Sequence, residues 1–108
     1  MIIKIITKDD FFNILKPPIG VLYIHYSQTT LTTQTLELLQ EKYGNNPNIV
    51  IGDLDSQLYA DLVKQLGLGN SVFHVNFYRK GQQAGQIAFT GGVLIPQICF
   101  NQIVKYLY

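Results

Sequence analysis

"IGVLYIHYSQTTLTTQTLELL" (residues 19–39) is the stretch that decides the fold of this 108-residue chain. Residues 19–26 are almost continuously apolar or aromatic, which is typical of a strand that is covered on both faces of a sheet. Residues 32–43 carry two leucines and a tyrosine at helical spacing. We therefore predict a central strand followed directly by a helix, with five threonines at their junction.

The chain upstream of this strand predicts a short strand and a short helix. Residues 2–6 (IIKII) form a β-branched run, and Thr7 with Asp10 three residues later predicts a helix N-cap. Pro17 and Pro18 end this helix, because proline lacks an amide proton and clashes with the preceding turn.

The chain downstream predicts a second strand and helix. We expect Gly44 to end the helix of residues 32–43 in a left-handed conformation. Residues 48–55 predict another buried strand, and Ser56 is the expected N-cap of the next helix. That helix is predicted to end at Gly67, and its inward-facing residues are Leu58, Leu62, Val63 and Leu66.

The last third of the chain predicts a hairpin and a helix. Residues 72–78 and 85–89 have the pattern of two strands joined by a short turn that contains glycine. Pro96 suits the first turn of a final helix, whose inward residues are Phe100, Ile103, Val104 and Leu107. The order β-α-β-α-β-α-β-β-α implies a mixed central sheet with helices on both faces. We predict an α/β protein of one domain, residues 1–108, built as a three-layer α/β/α sandwich.

Composition and charge restrict the partners. The net charge is +1 and the eight Lys and Arg residues are scattered, so no basic stripe suggests nucleic acid as a partner. No apolar stretch approaches the length that crosses a bilayer, so we expect no membrane partner. The single cysteine, Cys99, excludes an internal disulfide and a multi-cysteine metal cage, and it fits a reducing compartment. We therefore expect a cytoplasmic protein without a metal or cofactor.

The order of elements, the chain length and several local strings resemble thioredoxin. ITKDDFFNILKPPIGVLYIHY resembles the family's first helix and central strand, and NIVIGDLD resembles its strand that ends in an aspartate-bearing turn. LVKQLGLGNSVFHVNFYRKGQ resembles the helix, loop and hairpin strand that follow, and FTGG resembles the glycine segment before the last helix. The resemblance covers essentially the whole chain, and it implies the thioredoxin fold.

The resemblance also indicates where the family's redox chemistry would lie. Thioredoxins carry a Cys-x-x-Cys at the end of the central strand, where the helix N-terminus lowers a thiol pKa. That tetrad falls on residues 29–32 (Thr-Thr-Leu-Thr), so both sulfurs are missing. The family's buried aspartate falls on Tyr23, and its cis-proline falls on Phe73, directly after Val72. Because a cis bond before a non-proline residue costs about 3 kcal/mol, we expect a trans bond between these two residues.

We therefore predict a thioredoxin-like module that is not an enzyme and acts by binding another protein, in a chaperone-like, assembly or scaffold role. The groove that the resemblance implies consists of Tyr26, Ser27, Gln28, Thr29, Thr30, Leu31, Val72, Phe73, Thr90, Gly91 and Gly92. Two alternatives stay open: an enzyme of the same fold that uses Cys99 or glutathione-type chemistry, and a homo-oligomeric structural protein. The threonines either cap the helix and fill the surface or line the groove.

Five further residues allow both a chemical and a structural interpretation. Cys99 in the last predicted helix is more typical of a small buried apolar residue than of a nucleophile. His25 and His74 lie on neighbouring predicted strands, but two imidazoles without a third ligand favour packing over a metal site. Asp53 and Asp55 alternate at a strand end like a paired carboxylate site, although capping of the following turn and helix is the simpler interpretation.

Overall fold

The computed structural model describes residues 2–26, 29–68, 73–89 and 95–107. Its strands are β1 (Ile2–Lys4), β2 (Ile19–His25), β3 (Ile49–Asp55), β4 (His74–Arg79) and β5 (Gln82–Ala88). Its helices are α1 (Lys8–Asn13), α2 (Thr30–Tyr43), α3 (Ala60–Gln65) and α4 (Pro96–Leu107). The predicted order of elements is confirmed. None of these helices has the length and apolar content needed to span a bilayer, within the ranges just given.

The five strands form one mixed sheet in the order β1-β3-β2-β4-β5. β3 is parallel to both β1 and β2, whereas β4 is antiparallel to both β2 and β5. The parallel half follows from the helical crossovers α1 and α2, and the antiparallel half follows from the short turn between β4 and β5. β2 is the central strand, as its apolar sequence predicts, since six of its seven residues are buried.

Helices cover both faces of the sheet, so the predicted three-layer α/β/α sandwich is confirmed. Apolar side chains of α2 and α4, including Leu39 and Ile103, pack against one face. Phe11 of α1 and Leu62 and Val63 of α3 pack against the other. β2 supplies alternate side chains to both clusters, which ties the two helical layers to the central strand.

Three predicted helix signals are confirmed. The Thr7 hydroxyl accepts a hydrogen bond from the Asp10 amide, and the Asp10 carboxylate accepts one from the Thr7 amide, which makes a complete capping box at α1. Pro96 is the first residue of α4. Gly67 follows α3 with a φ of 64°, in the left-handed conformation that favours glycine.

Both ends of α2 differ from the prediction. The helix begins at Thr30, two residues before the predicted start, because Thr29 provides the N-cap. At its other end Gly44 has a right-handed conformation, with a φ of −58°, and not the left-handed one. The Gly44 amide continues the helical pattern by donating to the Gln40 carbonyl oxygen, so the chain leaves the helix without a reversal at the glycine.

The connection from β3 to α3 also differs. The Asp55 carboxylate accepts hydrogen bonds from the amides of Gln57 and Leu58, at 2.9 and 3.2 Å, and this turns the chain directly after β3. Helix α3 consequently begins only at Ala60. Ser56 is therefore not its N-cap, and Leu58 is 72% exposed instead of facing the core. The prediction that Asp55 caps the following turn is confirmed.

The predicted hairpin of β4 and β5 is confirmed. It closes through Lys80 and Gly81, whose φ angles are 53° and 81°. Two consecutive left-handed residues match the twist of antiparallel strands, and glycine adopts that conformation without strain. β5 begins at Gln82, three residues before the predicted start, and forms one edge of the sheet.

Candidate functional site

The candidate site lies at the carboxyl end of β2, where the chain passes to α2. Tyr26 follows β2 and is 53% exposed. Thr29 lies immediately before α2 in an extended conformation (φ −123°, ψ 164°) and is the N-cap of that helix. Thr29 and Thr30 are exposed, and Leu31 is half-buried. The threonines therefore start a helix at the surface, next to the end of the most buried strand.

Two threonine hydroxyls meet at the first turn of α2. The Thr32 amide donates a hydrogen bond to Thr29 Oγ1 at 3.2 Å, and the Thr29 hydroxyl donates one to Thr32 Oγ1 at 3.2 Å. Thr32 is buried, whereas Thr29 is exposed. An N-cap oxygen that accepts from the third helical amide satisfies a group that the helix itself leaves open. The prediction that a threonine caps this helix is confirmed for Thr29.

A buried tyrosine lies beneath this turn. Tyr23 in β2 is fully buried, and no hydrogen bond to its hydroxyl occurs among the described residues. Burial raises the pKa of Tyr23 well above its usual value, although the nearby Thr35 and Thr32 hydroxyls act in the opposite direction. The Thr35 hydroxyl itself donates to the Leu31 carbonyl oxygen at 2.7 Å. The phenol therefore stays neutral at physiological pH and cannot accept protons as a carboxylate does.

His25, the last residue of β2, forms a polar pair with β3. His25 Nε2 lies 2.5 Å from Asp53 Oδ1, and the two side chains are only 4% and 13% exposed. In the parallel register Tyr23 is aligned with Asp53 and His25 with Asp55, so all four side chains project from the same face of the sheet. The prediction that Asp53 caps a turn is wrong, because His25 occupies its carboxylate.

The His25–Asp53 pair was missed at the level of sequence. Both residues were singled out, but for separate reasons, and no local pattern connects residues on two different strands. The signal that could have found the pair is the two-residue alternation of β2 and β3, once the strands are aligned so that Tyr23 lies beside Asp53.

His74 lies on the opposite face of the sheet from His25. It is fully buried and aligned with Ile24 in the antiparallel pair of β2 and β4. Successive residues of a strand project to opposite faces, so the two imidazoles do not share a site. Among the residues that the structure describes, no group of three or more His, Cys, Asp or Glu side chains is placed to hold a metal ion.

Phe73 brings aromatic surface to the same end of the sheet. Its ring stacks on Phe89 with centroids 4.6 Å apart, and it lies 5.2 Å from the ring of Tyr23. Its carbonyl oxygen accepts a hydrogen bond from the Phe89 amide. Phe73 and Leu31 are both half-buried and pack against the core on the α2/α4 side. Each therefore presents part of an apolar side chain to solvent.

The structure describes five residues of the predicted groove: Tyr26, Thr29, Thr30, Leu31 and Phe73. They lie after β2, at the start of α2 and directly before β4, and because β2 and β4 are neighbouring strands they share one end of the sheet. Six predicted groove residues lie outside the described ones: Ser27, Gln28, Val72, Thr90, Gly91 and Gly92. The predicted trans bond before Phe73 lies outside them as well.

Solved structures similar to this chain include several thioredoxins. The oxidised thioredoxin of Plasmodium falciparum aligns over 98% of both chains with a TM-score of 0.70 and 9% identity. A cysteine-to-serine mutant of Entamoeba histolytica thioredoxin aligns over 98% of this chain and 99% of that chain, with a TM-score of 0.71 and 13% identity. The chain has the thioredoxin fold. Thioredoxin O2 of Arabidopsis thaliana in its oxidised state covers 99% of this chain and 94% of its own, with a TM-score of 0.68 and 14% identity. No protein-family model and no curated protein matches the sequence.

This thioredoxin fold lacks the sulfur pair. The chain has one cysteine and therefore no Cys-x-x-Cys motif. Cys99 is fully buried in α4, within the core on the α2/α4 side, so its predicted place as a buried apolar residue is confirmed. Burial raises the pKa of the Cys99 thiol. Because the thiolate is the reactive form, the enclosed and protonated thiol is a poor nucleophile.

Proposed function

We propose that this protein binds another protein through the surface at the carboxyl end of β2 and does not exchange thiols and disulfides. The described part of this binding surface is Tyr26, Thr29, Thr30, Leu31 and Phe73. The role is that of a chaperone-like, assembly or scaffold module. A cytoplasmic location belongs to the same proposal, since the lone buried cysteine needs no oxidising compartment.

The observation that carries the proposal is the hydroxyl pair of Thr29 and Thr32 at the start of α2. A threonine hydroxyl needs a general base to become a nucleophile, and it cannot exchange with a disulfide. The Thr29 hydroxyl is instead engaged in capping the helix, and the Thr32 hydroxyl accepts a hydrogen bond from it. In this role the thioredoxin fold presents the start of α2 to a partner. Hydroxyls that stabilise this turn stand at the two positions where the resemblance places reactive thiols.

The chemistry of the binding surface suits a peptide or protein segment. Tyr26 is exposed, and Leu31 and Phe73 show part of their apolar surface. Aromatic side chains are enriched in protein interfaces, and tyrosine is among the residues that carry most of the binding energy there. The amides of Thr30 and Leu31 have no acceptor among the described residues, as expected for the first turn of a helix. A partner would therefore fit by placing an apolar side chain beside Phe73 and a carbonyl or carboxylate oxygen at these amides.

The binding surface is tested by affinity capture from the native cell with quantitative mass spectrometry. Tagged wild type is compared with Leu31→Asp combined with Phe73→Asp, and separately with Tyr26→Asp. A control variant, Leu58→Asp with Ile98→Asp, changes two other exposed apolar residues. We expect a partner that the wild type and the control retain and that the surface variants lose, while circular dichroism shows that all are folded. Retention of every partner by the surface variants would contradict the proposal.

The absence of redox activity is tested separately. In the reduction of insulin by dithiothreitol, we expect the purified protein to leave the rate of the reagent alone unchanged. A rate above that of the reagent would contradict this half of the proposal, whatever the capture experiment shows.

A further inference from the structure

β5 is an uncharged edge strand. It pairs with β4 on one side only, and the described sheet ends there. Its seven residues, QQAGQIA, include no charged residue and no proline. Natural proteins usually protect such an edge with a charge, a proline, a bulge or a covering element, because its open backbone groups are a template for another strand.

The protection that β5 has is limited to its first half. A register shift lies between Phe77 and Tyr78 of β4, and it leaves residues 85–88 in regular pairing. In that regular half, the exposed side chains are those of Gln86 and Ala88. The outer side of residues 85–88 is therefore straight and uncharged, and open to pairing as far as the described residues show.

We propose that β5 pairs antiparallel with β5 of a second copy of this chain, so that the two sheets join across a two-fold axis. The open backbone fits only an extended strand, and an uncharged strand meets its own copy without like-charge repulsion. The opposite edge, β1, offers only three residues and ends at the exposed Lys4. β5 therefore pairs over a greater length with itself than with β1, and a two-fold contact closes the assembly as a dimer.

An apolar groove beside β5 supports the same contact. The groove has a volume of about 470 Å³ and lies between the strand and α4; its exposed surface is mainly apolar, and it is lined by Ile87, Tyr106, Gln102 and Lys105. Tyr106 forms part of it, with its ring stacked on Phe77 at a centroid distance of 4.5 Å and 44% of its surface exposed. A second copy would bury this exposed surface and would also form hydrogen bonds with the open backbone groups of β5. The inference does not depend on the binding surface at the end of β2.

The dimer is tested by light scattering coupled to size-exclusion chromatography. A lysine variant (Gln86→Lys with Ala88→Lys) and a glutamate variant (Gln86→Glu with Ala88→Glu) place like charges on both facing strands. A control variant, Asn45→Lys with Asn48→Lys, adds the same charge at exposed residues outside the sheet. We expect twice the 12.2 kDa chain mass for the wild type and the control, the single mass for each β5 variant alone, and the doubled mass again when the two β5 variants are mixed.

Hydrogen exchange of the wild type gives a second readout that needs no variant. We expect the outward-facing amides of β5 to become more protected as the protein concentration rises, while amides of β3 stay unchanged. A wild type of single mass at its highest soluble concentration would overturn the inference. A dimer that both β5 variants preserve, or β5 protection that is independent of concentration, would overturn it equally.

Discussion

The Thr29 hydroxyl donates a hydrogen bond to the Thr32 hydroxyl, 3.2 Å away, across the two positions on which the resemblance to thioredoxin places its cysteines. Thr29 Oγ1 also accepts from the Thr32 amide. One side chain therefore links the two positions and caps α2 at the same time. Hydrogen bonds hold the start of α2 at the two positions where the resemblance places the family's sulfurs.

The N-cap predicts a measurable loss of stability for Thr29→Ala. Without the hydroxyl the Thr32 amide loses its acceptor, and we expect the free energy of unfolding to fall by about 1 kcal/mol. Thr29→Asp is the matched control, because its carboxylate can accept the same hydrogen bond next to the positive end of the helix. Urea denaturation measures both. Equal stability of Thr29→Ala and the wild type would show that the cap contributes nothing.

The same geometry predicts that cysteines introduced at positions 29 and 32 will be close enough to form a disulfide. We expect Thr29→Cys with Thr32→Cys to form an intramolecular disulfide under mild oxidation, since the two side chains already touch. The matched control, Thr30→Cys with Thr33→Cys, has the same spacing but lies wholly within α2, where side chains three residues apart are too far from each other for ready closure. Mass spectrometry after alkylation counts the free thiols. Equal disulfide formation in the two variants would contradict the geometry of the cap.

The His25–Asp53 pair predicts that Asp53→Ala is among the more damaging polar substitutions. It leaves the largely buried His25 Nε2 without its carboxylate partner, and we expect a loss of about 2 kcal/mol, as for hydrogen bonds to charged groups. Asp61→Ala is the control, because Asp61 is exposed at the start of α3 and should change stability little. Similar midpoints for both variants in chemical denaturation would argue against the pair.

Tyr23 predicts a loss of stability in alkali. An unfolded tyrosine ionises near pH of about 10, whereas burial raises the pKa of Tyr23 in the folded protein. Above the unfolded pKa the unfolded state therefore loses this proton first, so the free energy of unfolding falls as the pH rises. We expect Tyr23→Phe to be close to the wild type at neutral pH and to lose less stability in alkali. Parallel profiles for the two proteins would contradict this.

Cys99 predicts slow alkylation. Because the thiol is buried and its pKa is raised, we expect iodoacetamide at neutral pH to modify the folded protein far more slowly than the protein in guanidinium chloride, and the rate to increase as the pH rises. Intact-mass measurement over time follows the reaction. Fast modification that is independent of pH would instead favour the enzyme alternative based on Cys99.

Signals carried by neighbouring residues were predictable from the sequence, and signals that depend on competition between neighbours were less so. The capping box of Thr7 and Asp10 lies within four residues, and the structure contains it as predicted. Ser56 is also a residue type that is typical of an N-cap. The Asp55 carboxylate instead accepts hydrogen bonds from the amides of Gln57 and Leu58, so the helix begins later than Ser56 predicts. When two potential capping residues follow each other, the sequence does not show which of them accepts the next amides until the direction of the chain after β3 is known.

At the candidate site, the contacts that could not be predicted from the sequence are those that depend on pairing between strands. The place of the missing sulfurs followed from the resemblance to thioredoxin, which puts them between the central strand and the next helix. The contact of His25 with Asp53 depends on the register of β2 against β3, and no residue near either of them in the sequence encodes that register. Phe73 was located by the resemblance, but its stacking on Phe89 requires the hairpin to be in place.

The only cysteine of the chain is enclosed in the core, and the side chains at the start of α2 carry hydroxyls. The described surface therefore offers no sulfur that peroxide or glutathione could modify. The turn at the start of α2 consequently has the same covalent structure during oxidative stress as at rest. A contact made there would persist through the redox changes that switch a dithiol protein between two forms, and its occupancy would follow from its affinity and the concentration of the partner.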